Sequence, residues 1–151
     1  MKHLKLEELD RKILGMLNKD GRMSFTLIAK QLKISATTLY SKVRELEESG
    51  VLKGYIPLID RKFVGYKLMA VINLRVKHEQ HIEVHKVIAR FPEVQAVYEV
   101  AGEWDLILVC YFKGRDELSN FLKNGLPLSN IERTLTHLVL NVVKEEKRVH
   151  V

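Results

Sequence analysis

ISATTLYSKVREL, residues 34–46, has the apolar spacing of a helix without the surface chemistry of an ordinary one. At roughly 100° per residue, Leu39, Val43 and Leu46 fall on one stripe. Thr37, Ser41, Arg44 and Glu48 lie opposite, with Tyr40 and Glu45 on the shoulders. Along the axis the outward side chains begin as hydroxyls and Tyr40, continue as Lys42 and Arg44, and end as Glu45, Glu47 and Glu48. That order opposes the helix dipole, which favours acids at the start and bases at the end. It suits a helix whose amino end enters duplex DNA. Acids there would meet phosphate, whereas hydroxyls hydrogen-bond base edges or phosphates, and arginine reaches guanine or the backbone.

The neighbouring residues fit the same reading. Ser35 is placed to cap this helix, which runs to about Ser49 and closes at Gly50. A preceding helix starts behind Ser24 and puts Phe25, Ile28, Ala29 and Leu32 on one face; an earlier one carries Leu9, Ile13, Leu14, Met16 and Leu17 and stops at residues 18–21. The last two helices, separated by about three residues, make a helix-turn-helix whose second member enters the major groove. DNA contacts are expected from Ser35, Thr37, Thr38, Tyr40, Ser41, Lys42 and Arg44, with Arg22 and Lys33 on phosphates. Lys33 stands where such turns often carry Gly, and a positive φ there would cost about 1 kcal/mol.

Charge supports a polyanionic partner. The 151 residues carry a net +6 and a pI of about 9.4. Residues 1–62 hold 13 Lys and Arg against 8 Asp and Glu, so most of the excess lies in the helical part.

After Gly50 the period changes. Residues 1–52 form the helix-turn-helix domain, 53–65 a connecting strand or linker, and 66–151 a second domain. In the last, strands are expected at 66–77, 94–102, 104–113 and 133–144. Helices are expected at 79–90, ended by Pro92, and through Leu118, Phe121 and Leu122, with a tight turn at Gly102 and Glu103. The order β-α-β-β-α-β is the ferredoxin-like arrangement, giving an α+β chain. Its strands are apolar on both faces: Leu68, Ala70, Ile72 and Leu74 but also Met69 and Val71; Leu106 and Leu108 but also Ile107, Val109 and Tyr111. Two helices cover one face of four strands, so the other predicts a homodimer or larger assembly.

Other chemistry finds no foothold. Cys110 lies in an apolar run and has no disulfide partner, no stretch approaches a membrane span, and the N-terminus has no apolar signal core, so a reducing, cytoplasmic location is expected. His81 and His85 are four residues apart with His78 a turn earlier, but no Cys accompanies them and Glu79 and Glu83 fall elsewhere on the wheel; no metal is assigned. No phosphate loop or nucleophile–base spacing is present, so neither a cofactor nor catalysis is expected.

The stretches LDRKILGMLNKDGRMSFTLIAKQLKISATTLYSKVRELEESGVLKGY (9–55), FPEVQAVYEVAGEWDLIL (91–108) and IERTLTHLVL (131–140) together resemble the Lrp/AsnC, or feast/famine, transcriptional regulators. The resemblance implies DNA binding by the first domain and a linker strand that pairs with a partner's. It also implies dimers that assemble to octamers, and a small effector, commonly an amino acid, bound between dimers. It places that effector at Gly102, Glu103, Trp104 and Asp105 with Thr134 and Thr136. Taken alone, the first four suit a hairpin turn and the two threonines suit a strand. Ala36 stands where the family often has Pro, and Trp104 where Tyr is commoner. Two rivals follow: an enzyme on the same scaffold, as in sirohaem decarboxylases, and a ligand-binding subunit that does not touch DNA.

Overall fold

The computed structural model describes residues 5–77 and 81–151; His78 and Glu79 lie outside them. Two compact units are present, residues 1–58 with 145–151, and residues 59–144. The boundary falls inside the segment expected to be the connector, and the last seven residues group with the first unit.

The first unit holds α1 (Glu8–Lys19), α2 (Phe25–Leu32) and α3 (Ala36–Glu48). Ile13, Leu14, Leu17, Ile28, Ala29, Leu39, Val43 and Leu46 form its core. These are the apolar stripes of the three helices, each fully buried aliphatic side chain contributing about 1.5–3 kcal/mol. Ser24 and Ser35 cap α2 and α3 by accepting from Leu27 N and Thr38 N. Gly50, at φ +74°, takes the left-handed conformation that follows a helix.

The second unit holds β1 (Leu68–Val76), α4 (His81–Ile88), β2 (Val94–Glu99), β3 (Leu106–Phe112), α5 (Arg115–Asn120) and β4 (Ile131–Leu138). A π-helical turn (Phe121–Gly125) extends α5. The strands form one antiparallel sheet in the order β2-β3-β1-β4, as the ferredoxin-like reading requires. In register, Ala70 faces Cys110, Ile72 faces Leu108 and Leu74 faces Leu106. These residues are buried beneath Val84 and Ile88 of α4 and Leu118 of α5. The alternate set, Met69, Val71, Ile107 and Val109, is only half-buried.

Two expectations change, and residues 53–65 are a linker rather than a strand within this chain. Residues 53–65 contain no strand: 61–65 form turns, and Tyr55, Ile56, Leu58, Ile59, Phe63 and Val64 are exposed. No described strand pairs with this segment, and its last residues bond among themselves, as in Phe63 N to Asp60 O and Tyr66 N to Arg61 O. The last strand ends at Leu138 rather than at residue 144, because β1 begins at Leu68 and Val139 N reaches Met69 O at the end of the available edge. The turn after β2 is a six-residue loop closed by Val100 N to Asp105 O at 3.0 Å, not a tight hairpin.

Candidate DNA and effector sites

The outward face of α3 is arranged as the wheel requires. Thr37, Thr38, Tyr40, Ser41 and Arg44 are exposed, and neither the first turn holds an acid nor the last a base. The Tyr40 ring meets Phe25 of α2 edge to face, centroids 5.1 Å apart, which fixes the ring while leaving it 59% exposed. Ser35 and Thr38 share a hydroxyl hydrogen bond of 2.8 Å besides the cap, so these two set the helix's starting geometry. Arg44 Nε holds Glu48 Oε1 at 2.8 Å with both side chains mostly exposed. Such a pair contributes about 0.3–0.5 kcal/mol and exchanges readily for phosphate.

Lys42 is placed differently from expectation. Its ammonium lies 3.0 Å from Glu7, 3.4 Å from Asp10 and 3.6 Å from Glu45, and its side chain is 23% exposed. Lys42 follows Leu39 by three residues and precedes Leu46 by four, so it shares the buried side of α3 and turns toward α1. The hydrogen bond to Glu7 holds its pKa above the usual lysine value, despite partial burial, with Asp10 and Glu45 adding to the effect. Lys42 is a structural cation tying α3 to the start of α1, and its charge is already matched. Asp10 is almost completely buried and also accepts from Glu7 N at 2.9 Å.

Lys33 has φ 55° and ψ 41°, the left-handed C-cap of α2, and is the one non-glycine with positive φ among the described residues. Its exposed side chain, like that of Arg22, lies on the surface of the first unit.

In the second unit the loop 100–105 is clamped by groups that periodicity could not reveal. Arg75 Nη1 donates to Glu103 O at 2.8 Å, Arg133 Nη2 lies 3.1 Å from Glu103 Oε1, and the Arg133 guanidinium sits 4.6 Å over the Trp104 ring. Asp105 accepts from Val76 N at 2.7 Å while its own N–H donates to Leu74 O, so this carboxylate fastens the loop to β1. Gly102, at φ 140°, is the residue that tolerates the bend. Thr134 and Thr136 pair with Leu74 and Ile72 and share the helix-covered face, whereas Arg133, just before Thr134, and its partner Arg75 face the other way. The structure therefore brings the two arginines to the turn and leaves the two threonines on the opposite face of β4. A groove of about 730 Å³ lined by Leu14, Leu17, Leu52, Tyr55 and Val149 belongs to the first unit and holds none of the six expected effector residues.

Cys110 is fully buried, and burial, reinforced by the charge of Glu93, pushes its thiol to about 12. It packs in the sheet core and is no nucleophile. No helix among the described residues is long and apolar enough to cross a membrane.

Comparison with known proteins agrees with this layout. Residues 6–53 match the winged helix-turn-helix DNA-binding family, and residues 69–149 match the Lrp/AsnC ligand binding domain. An HTH-type transcriptional regulator of Pyrococcus abyssi is 40% identical over 144 residues, covering 95% of this chain and 98% of its own. The leucine-responsive regulatory protein of Rhizobium meliloti is 31% identical over 152 residues, covering 98% and 97%. The solved structure of E. coli AsnC superposes with a TM-score of 0.89 at 23% identity, covering 95% and 97% of the two chains. With a DNA-binding helix-turn-helix followed by this ligand-binding sheet, the chain belongs to the Lrp/AsnC family of transcriptional regulators.

Proposed function

We propose that the amino-terminal half of α3 reads operator DNA in the major groove, with Thr37, Tyr40, Ser41 and Arg44 facing the bases and backbone and Arg22 and Lys33 touching phosphates. The supporting observation is the exposed, acid-free start of α3, where four side chains able to bond bases or phosphates occupy the end of a helix that ordinary surface chemistry would make acidic. Two copies present two such helices to half-sites of a roughly palindromic operator. The partly covered face of the sheet supports dimer formation, and dimers assemble further to an octamer.

The second unit binds an amino acid or a related small molecule at residues 102–105. The Rhizobium relative's name records a response to leucine. Arg75 and Arg133, already oriented on Glu103, are the cations placed to receive a carboxylate. The protein regulates transcription without catalysing a reaction, and acts in the cytoplasm where its DNA lies.

Genomic footprinting of the full-length protein, followed by mobility-shift titration with each of the twenty amino acids, tests this reading. Discrete protected sites and a change in their affinity with at least one amino acid are expected. Absence of any footprint, or a purified protein that carries a tetrapyrrole and leaves DNA unshifted, would overturn it.

A further inference from the structure

Helix α4 carries His81 and His85 four residues apart, on the stripe that also holds the buried Val84 and Ile88. Strand β2 ends at Glu99. Val97, two residues earlier, packs against the core beneath the helices, and strand alternation sends Glu99 to that same face. The result is a convergence that helical spacing alone does not reveal: one ligand atom from each of His81, His85 and Glu99 lies within 4.8 Å of the other two. The two imidazoles meet edge to face, 6.2 Å between centroids. His85 Nε2 is buried and has no hydrogen-bond partner among the described residues. A buried ring nitrogen without a partner costs about 1–3 kcal/mol, so this ring has bonding capacity that the described protein groups do not use.

We infer that His81, His85 and Glu99 form a binding site for a divalent transition cation of the zinc class. Two neutral imidazoles and one carboxylate are the donor set of such ions, whereas magnesium and calcium favour all-oxygen sites. Ligand atoms about 2.0–2.2 Å from a tetrahedral zinc lie about 3.3–3.6 Å from one another. Side-chain rotations within the existing cluster close that difference, with water completing the shell. The bound cation joins α4 to the end of β2, three residues ahead of Gly102, and so anchors the strand that leads into the loop 100–105. Glu83, on α4 but paired with Lys86 at 4.0 Å, is not needed as a ligand.

The test is isothermal titration of the full-length, untagged, chelator-stripped protein with Zn²⁺ alone, repeated with Mg²⁺. One Zn²⁺ per chain is expected, with Mg²⁺ giving no saturable heat, and Glu99→Gln and His81→Gln each weakening Zn²⁺ binding at least tenfold. Both positions lie at the cluster's rim, and unchanged circular dichroism of the two variants separates lost ligation from lost folding. X-ray absorption of the zinc-loaded protein should show two imidazoles and at least one oxygen. Zinc binding absent from the wild type, or unaltered in both variants, would overturn the assignment. A sulfur ligand in the absorption spectrum would also do so, by moving the ion to Cys110.

Discussion

Arg44 and Lys42 carry the same charge two residues apart on α3 and meet different surroundings. Arg44 projects into solvent with only an exposed Glu48 beside it, so Arg44→Ala should weaken operator binding and reduce the slope of log affinity against log salt by about one. Lys42→Met should leave that slope unchanged and instead lower stability by about 1–2 kcal/mol, because Asp10 keeps a buried charge without its cation. Equilibrium urea unfolding beside the salt titration separates the two outcomes. The exposure of Thr37 and Ser41 was legible from the helical wheel. The wheel sets Lys42 beside the buried stripe but does not reveal its partner Glu7, 35 residues away in the chain. Lys33 was legible as a strained position, and Lys33→Gly should stabilise the protein by about 0.5–1 kcal/mol in urea. At Cys110 the folded state favours the neutral thiol, with a pKa raised to about 12. Stability from this group is complete below the unfolded thiol's pKa, about 8.5, and is lost as pH rises from there toward 12, at up to about 1.4 kcal/mol per pH unit. Unfolding at pH 8 and pH 10.5 should show a shallower decline in Cys110→Ala than in the wild type.

Elements were easier to read than their ends. The caps of α2 and α3 followed from Ser24 and Ser35, whose hydroxyls satisfy orphan N–H groups, and Ser35→Ala should cost about 1 kcal/mol in chemical unfolding. The strands were legible from their apolar runs, but the end of β4 depends on where β1 begins, a pairing no single segment encodes. The loop 100–105 was recognised by its residues while its clamps were hidden, since Arg75 and Arg133 come from two different strands. Arg133→Met should remove the cation over Trp104, shift the emission of this single tryptophan, and weaken effector binding by about tenfold in a fluorescence titration. Unaltered emission and affinity would separate Arg133 from the effector site.

At the scale of the molecule, the same sheet that buries Ile72 and Leu108 beneath its helices leaves Met69, Val71, Ile107 and Val109 half-covered on its other side. Both apolar sets were legible in the alternation, and the proposed dimer rests on the second of them. Val109→Lys should shift light-scattering mass toward the monomer and weaken operator binding with it, because one copy engages one half-site. An effector that alters operator affinity must bind more or less tightly by the same factor when DNA is present.

The orientation of α3 is most directly tested by photo-crosslinking with a probe placed at position 37, 41 or 12 of the full-length protein bound to a footprinted operator. Probes at 37 and 41 should label major-groove bases of each half-site and the probe at 12, on α1, should label none. Base labelling from position 12, with none from 37 or 41, would contradict the account.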